Sequence, residues 1–162
     1  MTRDPIEEAH RQWVSRGWGD AADGMAMVTS VVRAQQLLME RIDAVLRPLG
    51  LTFARYEVLQ LLSFVREGAM PMTRLGSLLQ VHPTSVTSAV ARLEKQGYVE
   101  RTRGQDDRRV VLATITKAGR RAADTATAAL NARVFEEPGL AEQAVRDLTE
   151  GLSGLRAGLG DG

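Results

Sequence analysis

The sequence predicts a mainly α-helical protein that carries one small β-hairpin. Long stretches place apolar residues at three- and four-residue intervals, which is the spacing of amphipathic helices. Two segments rich in β-branched residues, YVERTR and RRVVLATI, flank a polar turn and indicate a hairpin. Glycine, proline and threonine stand at the junctions between segments, where helices commonly begin and end.

The first part of the chain reads as three helices. DPIEEAHRQWVSRGW predicts a short helix with Pro5 in its first turn. A long helix follows from about residue 22 to residue 46, and RPLGL stops it. Its apolar stripe includes Val28, Val31, Val32, Leu38, Ile42 and Val45. Thr52 is predicted to cap the third helix, FARYEVLQLLSFVRE, which Gly68 closes.

Two shorter helices, the hairpin and two more helices complete the predicted order. AMPMT is extended, Thr73 caps RLGSLLQ, a turn at VHP follows, and TSVTSAVARLEKQ has Pro83 at its first position. After the hairpin, TKAGRRAADTATAALNARVFEE begins at Thr116, and a Pro-Gly pair ends it. The last helix, AEQAVRDLTEGLSGLRAGL, has an apolar stripe of Val145, Leu148, Leu152, Leu155 and Leu159.

Composition excludes several classes of function. The chain has 162 residues, of which 44% are hydrophobic and 25% charged, as in an ordinary soluble globular protein. It contains no cysteine and only two histidines, His10 and His82, which excludes disulfides, thiol chemistry and a histidine-rich metal cluster within one chain but leaves carboxylate sites open. We expect no metal or other cofactor. No apolar run approaches the ~18 residues of a membrane span, and the N-terminus lacks a signal peptide's apolar core. We therefore expect a cytoplasmic protein with no membrane partner.

Positive charge is concentrated in the middle of the chain. Residues 68–121 contain ten Lys or Arg and four acidic residues, a net charge of +6. Because the whole chain carries +1, the remainder carries −5. A basic block inside an acidic chain is typical of proteins that bind polyanions, although a solvated basic surface is the alternative.

The two short helices and their tight turn are a candidate helix-turn-helix. In the second helix we expect Val86, Val90 and Leu93 to face inward. The outer face then carries small hydroxyl residues, which allow close approach to a major groove, and basic residues, which suit phosphates. An ordinary amphipathic surface helix would show a similar pattern.

The hairpin makes DNA binding the better interpretation. It follows the second helix directly, and its tip is RGQDDRR. A basic hairpin beside a helix-turn-helix can act as a wing, whose arginines are attracted to a narrow minor groove. Asp106 and Asp107 either hold a neighbouring arginine in place or serve only to form the turn.

Three segments, LTFARYEVLQLL, HPTSVTSAVARLEKQGYVERT and DDRRVVLATITKAGRR, together with the order of elements, resemble the MarR family of bacterial transcriptional regulators. The similarity runs from about residue 22 to the C-terminus. It implies a winged helix-turn-helix homodimer that binds a palindromic operator in double-stranded DNA. Such proteins are usually repressors that small aromatic ligands release. Residues 1–50 would form an N-terminal extension and dimerisation helix, 51–115 the DNA-binding lobe, and 116–162 the C-terminal dimerisation helices.

The resemblance also implies which side chains contact DNA. They are Arg74, Ser77, Thr84, Ser85, Thr87, Ser88, Arg92, Arg108 and Arg109. Asp107 is expected to orient Arg109 at the wing tip. Some relatives have arginine where Ser88 stands, which weakens the expected base readout in this chain. No ligand-binding residue is predicted, and the operator and effector stay open.

Two other functions are compatible with parts of the sequence. A helical dimerisation or adaptor protein would explain the terminal helices but not the basic block. A small enzyme could use Asp106 and Asp107 for acid–base chemistry, but they lie in an exposed arginine-rich turn. Trp13 and Trp18 belong to an extension that matches no family motif. We expect them to anchor the first helix on the partner chain of a dimer rather than to cover a ligand.

Overall fold

A computed structural model describes residues 4–79 and 83–161 of the chain. Within these ranges the helices are α1 (Pro5–Ser15), α2 (Gly19–Leu46), α3 (Phe53–Phe64), α4 (Met72–Leu79), α5 (Pro83–Lys95), α6 (Lys117–Leu130) and α7 (Glu142–Gly158). The strands are β1 (Ala69–Pro71), β2 (Val99–Arg103) and β3 (Val111–Ile115). A 3₁₀ turn (Arg47–Leu49) follows α2, and a π turn (Asn131–Phe135) ends α6. Most of the turn predicted at VHP lies outside the described residues.

The chain forms two compact units, one through Ala44 and one from Val45 onward. In the first unit, the carboxylate of Asp4 caps α1 by accepting from the backbone N–H of Ile6 at 2.9 Å. Nε2 of His10 lies 2.8 Å from Oδ1 of Asp23, which ties α1 to α2. The rings of Trp13 and Trp18 meet edge to face, with centroids 5.4 Å apart across the turn.

The second unit has an apolar core at the contacts of α3 with α5 and α6. Its fully buried side chains include Val58, Leu59, Leu62, Leu75, Val90, Leu93 and Leu130. The sheet is antiparallel in the order β1-β3-β2. Ala69 of β1 is opposite Thr114 of β3, and Arg103 of β2 is opposite Val111. The sequence predicted the hairpin, but it did not predict that β1 pairs with β3.

Several predicted helix ends are confirmed by their hydrogen bonds. The hydroxyl of Thr52 caps α3 by accepting from the N–H of Arg55 at 3.3 Å. The hydroxyl of Thr116 caps α6 by accepting from the N–H of Gly119 at 3.0 Å. Pro83 is the first residue of α5, as expected.

Three predicted boundaries were wrong. Thr73 is not a cap, because α4 begins one residue earlier, directly after β1. Helix α3 ends at Phe64 rather than at Gly68, whose positive φ of 67° belongs to the turn before β1. Strand β3 begins at Val111 rather than at residue 108. Residues 108–110 belong instead to the turn at the hairpin tip, where Val110 forms backbone hydrogen bonds with Gly104 and Asp107.

Candidate nucleic-acid interface

Helix α5 has one buried and one exposed side, as its sequence predicted. Val86, Val90 and Leu93 are buried, and Ala89 joins them. Their three- and four-residue spacing places them on the side that meets α3 and α4. The predicted contact residues Thr84, Ser85, Thr87, Ser88 and Arg92 are all exposed. The small side chains lie in the first turns of the helix, and the arginine lies towards its C-terminal end.

Helix α4 packs against α5, and its residue Leu75 is fully buried. Gly76 lies close to the same contact, since a Cβ atom there would be 3.8 Å from Cγ2 of Val86. Arg74 and Ser77, the two predicted backbone contacts on α4, are both exposed. The structure therefore leaves all the predicted side chains of the two helices accessible to a ligand.

A groove of about 430 Å³ lies along the exposed side of α5, between this helix and the start of α3. Ser85, Ser88 and Arg92 line it from α5, whereas Thr52 and Arg55 line it from the N-terminal end of α3. The sequence had not assigned Arg55 to this surface. Arg55 is therefore a second arginine, besides Arg92, that lines this groove.

Hydrogen bonds hold Arg55 in that position. Its Nη1 donates to the carbonyl of Gly50 and to Oε1 of Gln96, both at 3.1 Å, and its Nε donates to the hydroxyl of Thr52 at 3.2 Å. Nε2 of Gln96 donates to the same Gly50 carbonyl at 2.7 Å. These bonds fix the residue after α5 to the loop before α3. Gln96 is 41 residues from Arg55, so no local pattern could have revealed the contact.

The wing tip is closed by backbone hydrogen bonds. The N–H of Gly104 donates to the carbonyl of Val110 at 2.8 Å, and the N–H of Val110 donates to the carbonyl of Asp107 at 3.1 Å. Nη1 of Arg103 donates to the carbonyl of Arg108 at 2.9 Å. The tip is therefore an ordered loop that presents Arg108 and Arg109 to solvent.

Asp107 acts on the backbone of Arg109 more directly than on its side chain. The carboxylate accepts from the N–H of Arg109 at 2.9 Å, whereas Nε of that arginine is 3.9 Å away. A separation of 3.9 Å is an ion pair but not a hydrogen bond. The side chain of Arg109 is 95% exposed, so it can still reach a ligand.

An ion pair joins α5 to β2, the first strand of the hairpin. Nη2 of Arg101 on β2 lies 2.7 Å from Oε2 of Glu94 on α5, and Nε of the arginine donates to the same oxygen at 2.9 Å. This hydrogen bond lowers the pKa of Glu94 below its ordinary value. The sequence had counted these two charges only towards the basic block.

A separate apolar cavity of about 300 Å³ lies on the side of α3 that meets the end of α4. Phe53, Tyr56 and Phe135 contribute aromatic rings, Leu61, Leu78 and Leu79 contribute aliphatic surface, and Glu57 and Gln60 are polar. Burial raises the pKa of the Glu57 carboxyl above its ordinary value.

Neither a metal centre nor a membrane-spanning segment is found in residues 4–79 and 83–161. No three histidine or carboxylate side chains there come together as metal ligands would. None of the helices in these ranges combines the length and the apolarity that crossing a bilayer requires.

The sequence profile of the MarR family matches residues 51–111, which include α3 to α5 and β2. Sco5413, a MarR family transcriptional regulator from Streptomyces coelicolor, has a similar structure, with a TM-score of 0.78 and 42% sequence identity. The similarity covers 86% of this chain and 96% of Sco5413. The chain belongs to the MarR family. It is therefore related to transcriptional regulators rather than to enzymes, as the sequence predicted.

Two other MarR-like structures were solved with ligands. Sco3205 from Streptomyces coelicolor, in complex with DNA, has a TM-score of 0.71 and 28% identity over 82% of this chain and 86% of its own. CouR from Rhodococcus jostii RHA1, bound to p-coumaroyl-CoA, has a TM-score of 0.67 and 27% sequence identity. The similarity covers 80% of this chain and 90% of CouR.

The match to curated relatives is shorter. The HTH-type transcriptional regulator YwoH of Bacillus subtilis is 30% identical over 91 residues, which cover 56% of this chain and 64% of YwoH. The chain thus spans less than two thirds of the length of the curated relatives that it matches.

Proposed function

We propose that this MarR-family chain represses transcription in the cytoplasm by binding a palindromic operator as a homodimer. The observation that carries the proposal is the exposed face of α5. Opposite the buried Val86, Val90 and Leu93, it presents hydroxyl side chains and Arg92 beside a wing with exposed arginines. The family's structure in complex with DNA supports the same interpretation.

The distribution of small and basic side chains along α5 suggests how the helix would lie in the major groove. Thr84, Ser85, Thr87 and Ser88 are small enough to approach base edges closely. Arg92, two turns along, would meet phosphate, as would Arg74 and Ser77 from α4. Arg55, held in the groove by Gln96, adds one further positive charge for the backbone.

The wing would supply much of the specificity. Hydroxyl groups both donate and accept, so they discriminate weakly among bases, and the front of α5 lacks the arginine, asparagine or glutamine that makes bidentate contacts. Arg108 and Arg109 are free to enter a minor groove, and narrow A·T-rich grooves attract arginine. We therefore place the sequence preference at A·T-rich steps under the wings.

Exposed apolar side chains support a dimer. Val28, Val32 and Leu38 are exposed on α2 in the first unit. In the second unit Leu148 and Leu152 are exposed on α7, and Leu159 is exposed directly after it. Extended apolar surfaces on soluble proteins usually mark interaction sites. A second copy of the chain that covers these helices would also supply the second recognition helix for a palindrome.

Selection of bound fragments from a random DNA pool tests the proposal. We expect an inverted repeat whose half-sites lie about 10 base pairs apart, so that both recognition helices meet one face of the duplex. Affinity for this site should fall steeply with salt, because bound arginines release counterions from the phosphates. If nothing is enriched and no salt-dependent binding occurs, the chain is better explained as a dimerisation or adaptor protein.

Control by a small molecule is a second candidate function, which the apolar cavity favours. Leu78 and Leu79 line the cavity from the last turn of α4, the helix that precedes α5 in the helix-turn-helix. A ligand that wedges between these leucines and Phe53 would displace α4 and weaken operator binding. The ligand bound to CouR supports such a role in this family. A panel of aromatic compounds should include some that raise the melting temperature and release the operator.

A further inference from the structure

The apolar cavity beside α3 and α4 contains one acidic side chain. Glu57 is half-buried, and it lines the cavity together with the rings of Phe53, Tyr56 and Phe135. None of the described residues that line the cavity is basic. The charge in this part of the cavity is therefore negative whenever the carboxyl is ionised, which distinguishes the cavity from the basic surface that faces DNA.

Two of the other polar side chains in the cavity are already engaged. The hydroxyl oxygens of Tyr56 and Thr127 lie 3.0 Å apart, and the Thr127 hydroxyl donates to Oε1 of Gln60 at 3.1 Å. This chain of hydrogen bonds ties α3 to α6. The Glu57 carboxylate is the only carboxylate among the described residues that line the cavity.

The aromatic rings give the cavity a second preference for positive charge. The rings of Phe53 and Tyr56 are stacked, with 6.2 Å between their centroids and 16° between their planes. The face of an aromatic ring is electron-rich and attracts cations, most strongly where water is excluded. A carboxylate beside aromatic faces is the chemistry that recognises an ammonium group attached to an apolar body.

We propose that this cavity binds a small aromatic or alkyl ammonium compound, whose cationic head lies against Glu57 and whose apolar part lies among the rings. The inference rests on the proposed regulatory role of the cavity and specifies its ligand. The volume of about 300 Å³ suits a small molecule, at the lower end of the roughly 300–1,000 Å³ of ligand sites. An aromatic carboxylate would bring a second negative charge towards Glu57, and would be disfavoured.

Burial supports the same ligand class. The raised pKa of Glu57 shows that its ionised form is poorly solvated in the cavity. A bound cation would stabilise the ionised carboxylate, whereas a bound anion would destabilise it further.

Three probes of similar size separate the possibilities: 2-phenylethylammonium, the neutral 2-phenylethanol, and phenylacetate. Titration calorimetry on the DNA-free full chain should show that the ammonium binds at least about tenfold more tightly than the alcohol, as expected for one cation–π contact and one partly buried ion pair. Phenylacetate should bind more weakly than either. Equal or tighter binding of phenylacetate, or no binding of any probe, would overturn the proposal.

Variants test whether Glu57 and the rings cause the preference. Glu57→Gln keeps the size of the side chain and should remove most of the preference for ammonium over alcohol. Phe53→Leu should weaken ammonium more than alcohol. Glu67→Gln, a matched loss of charge at an exposed position after α3, should leave all three affinities unchanged. If Glu57→Gln binds ammonium as tightly as the original chain does, the assignment of Glu57 is wrong.

Operator binding is measured separately on the same samples. If the ligand-free chain does not bind the operator but keeps its preference for ammonium, only the proposed regulatory function is contradicted. Operator binding without any ammonium preference would contradict only the assignment of the ligand.

Discussion

Arg109 is the residue on which the proposed DNA specificity depends most. Its side chain is 95% exposed, while its backbone is fixed by Asp107, so it can enter a groove without reorganising the tip. Arg109→Ala should weaken binding to the selected operator by about 1–3 kcal/mol, the range for one specific arginine contact. Ser88→Ala should change affinity little, and Asp107→Ala should cost less than the arginine variant because the arginine remains.

The contrast between two DNA sites decides what Arg109 reads. Each variant is titrated with the operator and with a copy that has G·C pairs under the wings. Arg66→Ala is the control, because it also removes one positive charge. Arg66 lies in the turn before β1, at the end of the sheet away from the hairpin tip. Equal losses on both DNAs for Arg109→Ala would mean that the arginine contacts only phosphate.

Glu57 is expected to make stability depend on pH in an unusual direction for an acid. Burial raises its pKa in the folded chain, so between the unfolded and folded pKa values the folded state holds more protons. Stability therefore falls as pH rises through this interval. Glu57→Gln should raise the melting temperature at neutral pH, and this gain should vanish below the ordinary pKa of glutamate. An unchanged gain at both pH values would exclude titration as its cause, and Glu67→Gln is the control.

At the scale of elements, the start of α6 is packed against the residue that precedes β2. A Cβ atom at Gly119 would lie 2.1 Å from the backbone carbonyl of Tyr98 and 2.9 Å from Cγ1 of Ile115. The same carbonyl accepts from the N–H of Thr116 at 3.0 Å, so it cannot move without loss of that bond. Glycine at position 119 therefore allows α6 to approach the start of β2 closely, because any larger side chain would collide with this carbonyl.

Gly119→Ala should destabilise the fold by about 1–3 kcal/mol, the usual cost of overpacking a core. Urea unfolding measures the effect. Gly24→Ala in α2 is the control, because a Cβ atom there would meet no atom within 4 Å apart from its chain neighbours and the nearby backbone of its own helix. Alanine also favours a helix interior by roughly 0.5–1 kcal/mol over glycine. Equal stability of the Gly119 variant and the original chain would show that α6 can shift freely.

At the scale of the whole molecule, α7 is the element on which dimerisation should depend. It has no buried residue, its apolar residues Leu148 and Leu152 are exposed, and so is Leu159, which follows it. Deletion of residues 141–162 should abolish both dimerisation and tight operator binding, because a monomer contacts only one half-site. Sedimentation velocity gives the oligomeric state, and circular dichroism checks that the remaining helices persist. A truncated chain that stays dimeric would contradict this assignment.

Features that depend on neighbouring residues could be predicted from the sequence alone. Thr52 and Thr116 cap their helices through hydrogen bonds to backbone N–H groups three residues away, and the spacing of Val86, Val90 and Leu93 fixes the buried side of α5. The family and the order of helices and hairpin could be predicted because such signals are local. Predicted boundaries failed where a neighbouring element intervened, as at Thr73, where β1 runs directly into α4.

Which groups from separate elements meet is evident only in the folded structure. Three contacts join separate elements: the pairing of β1 with β3, the hydrogen bond from Arg55 to Gln96, and the ion pair of Glu94 with Arg101. The cavity that Glu57 lines is likewise formed by residues of separate elements. The physical reason is that a charged or amide side chain has many possible partners along the chain. Which of them lies within bonding distance is set by the packing of the apolar core, and not by the residues beside it.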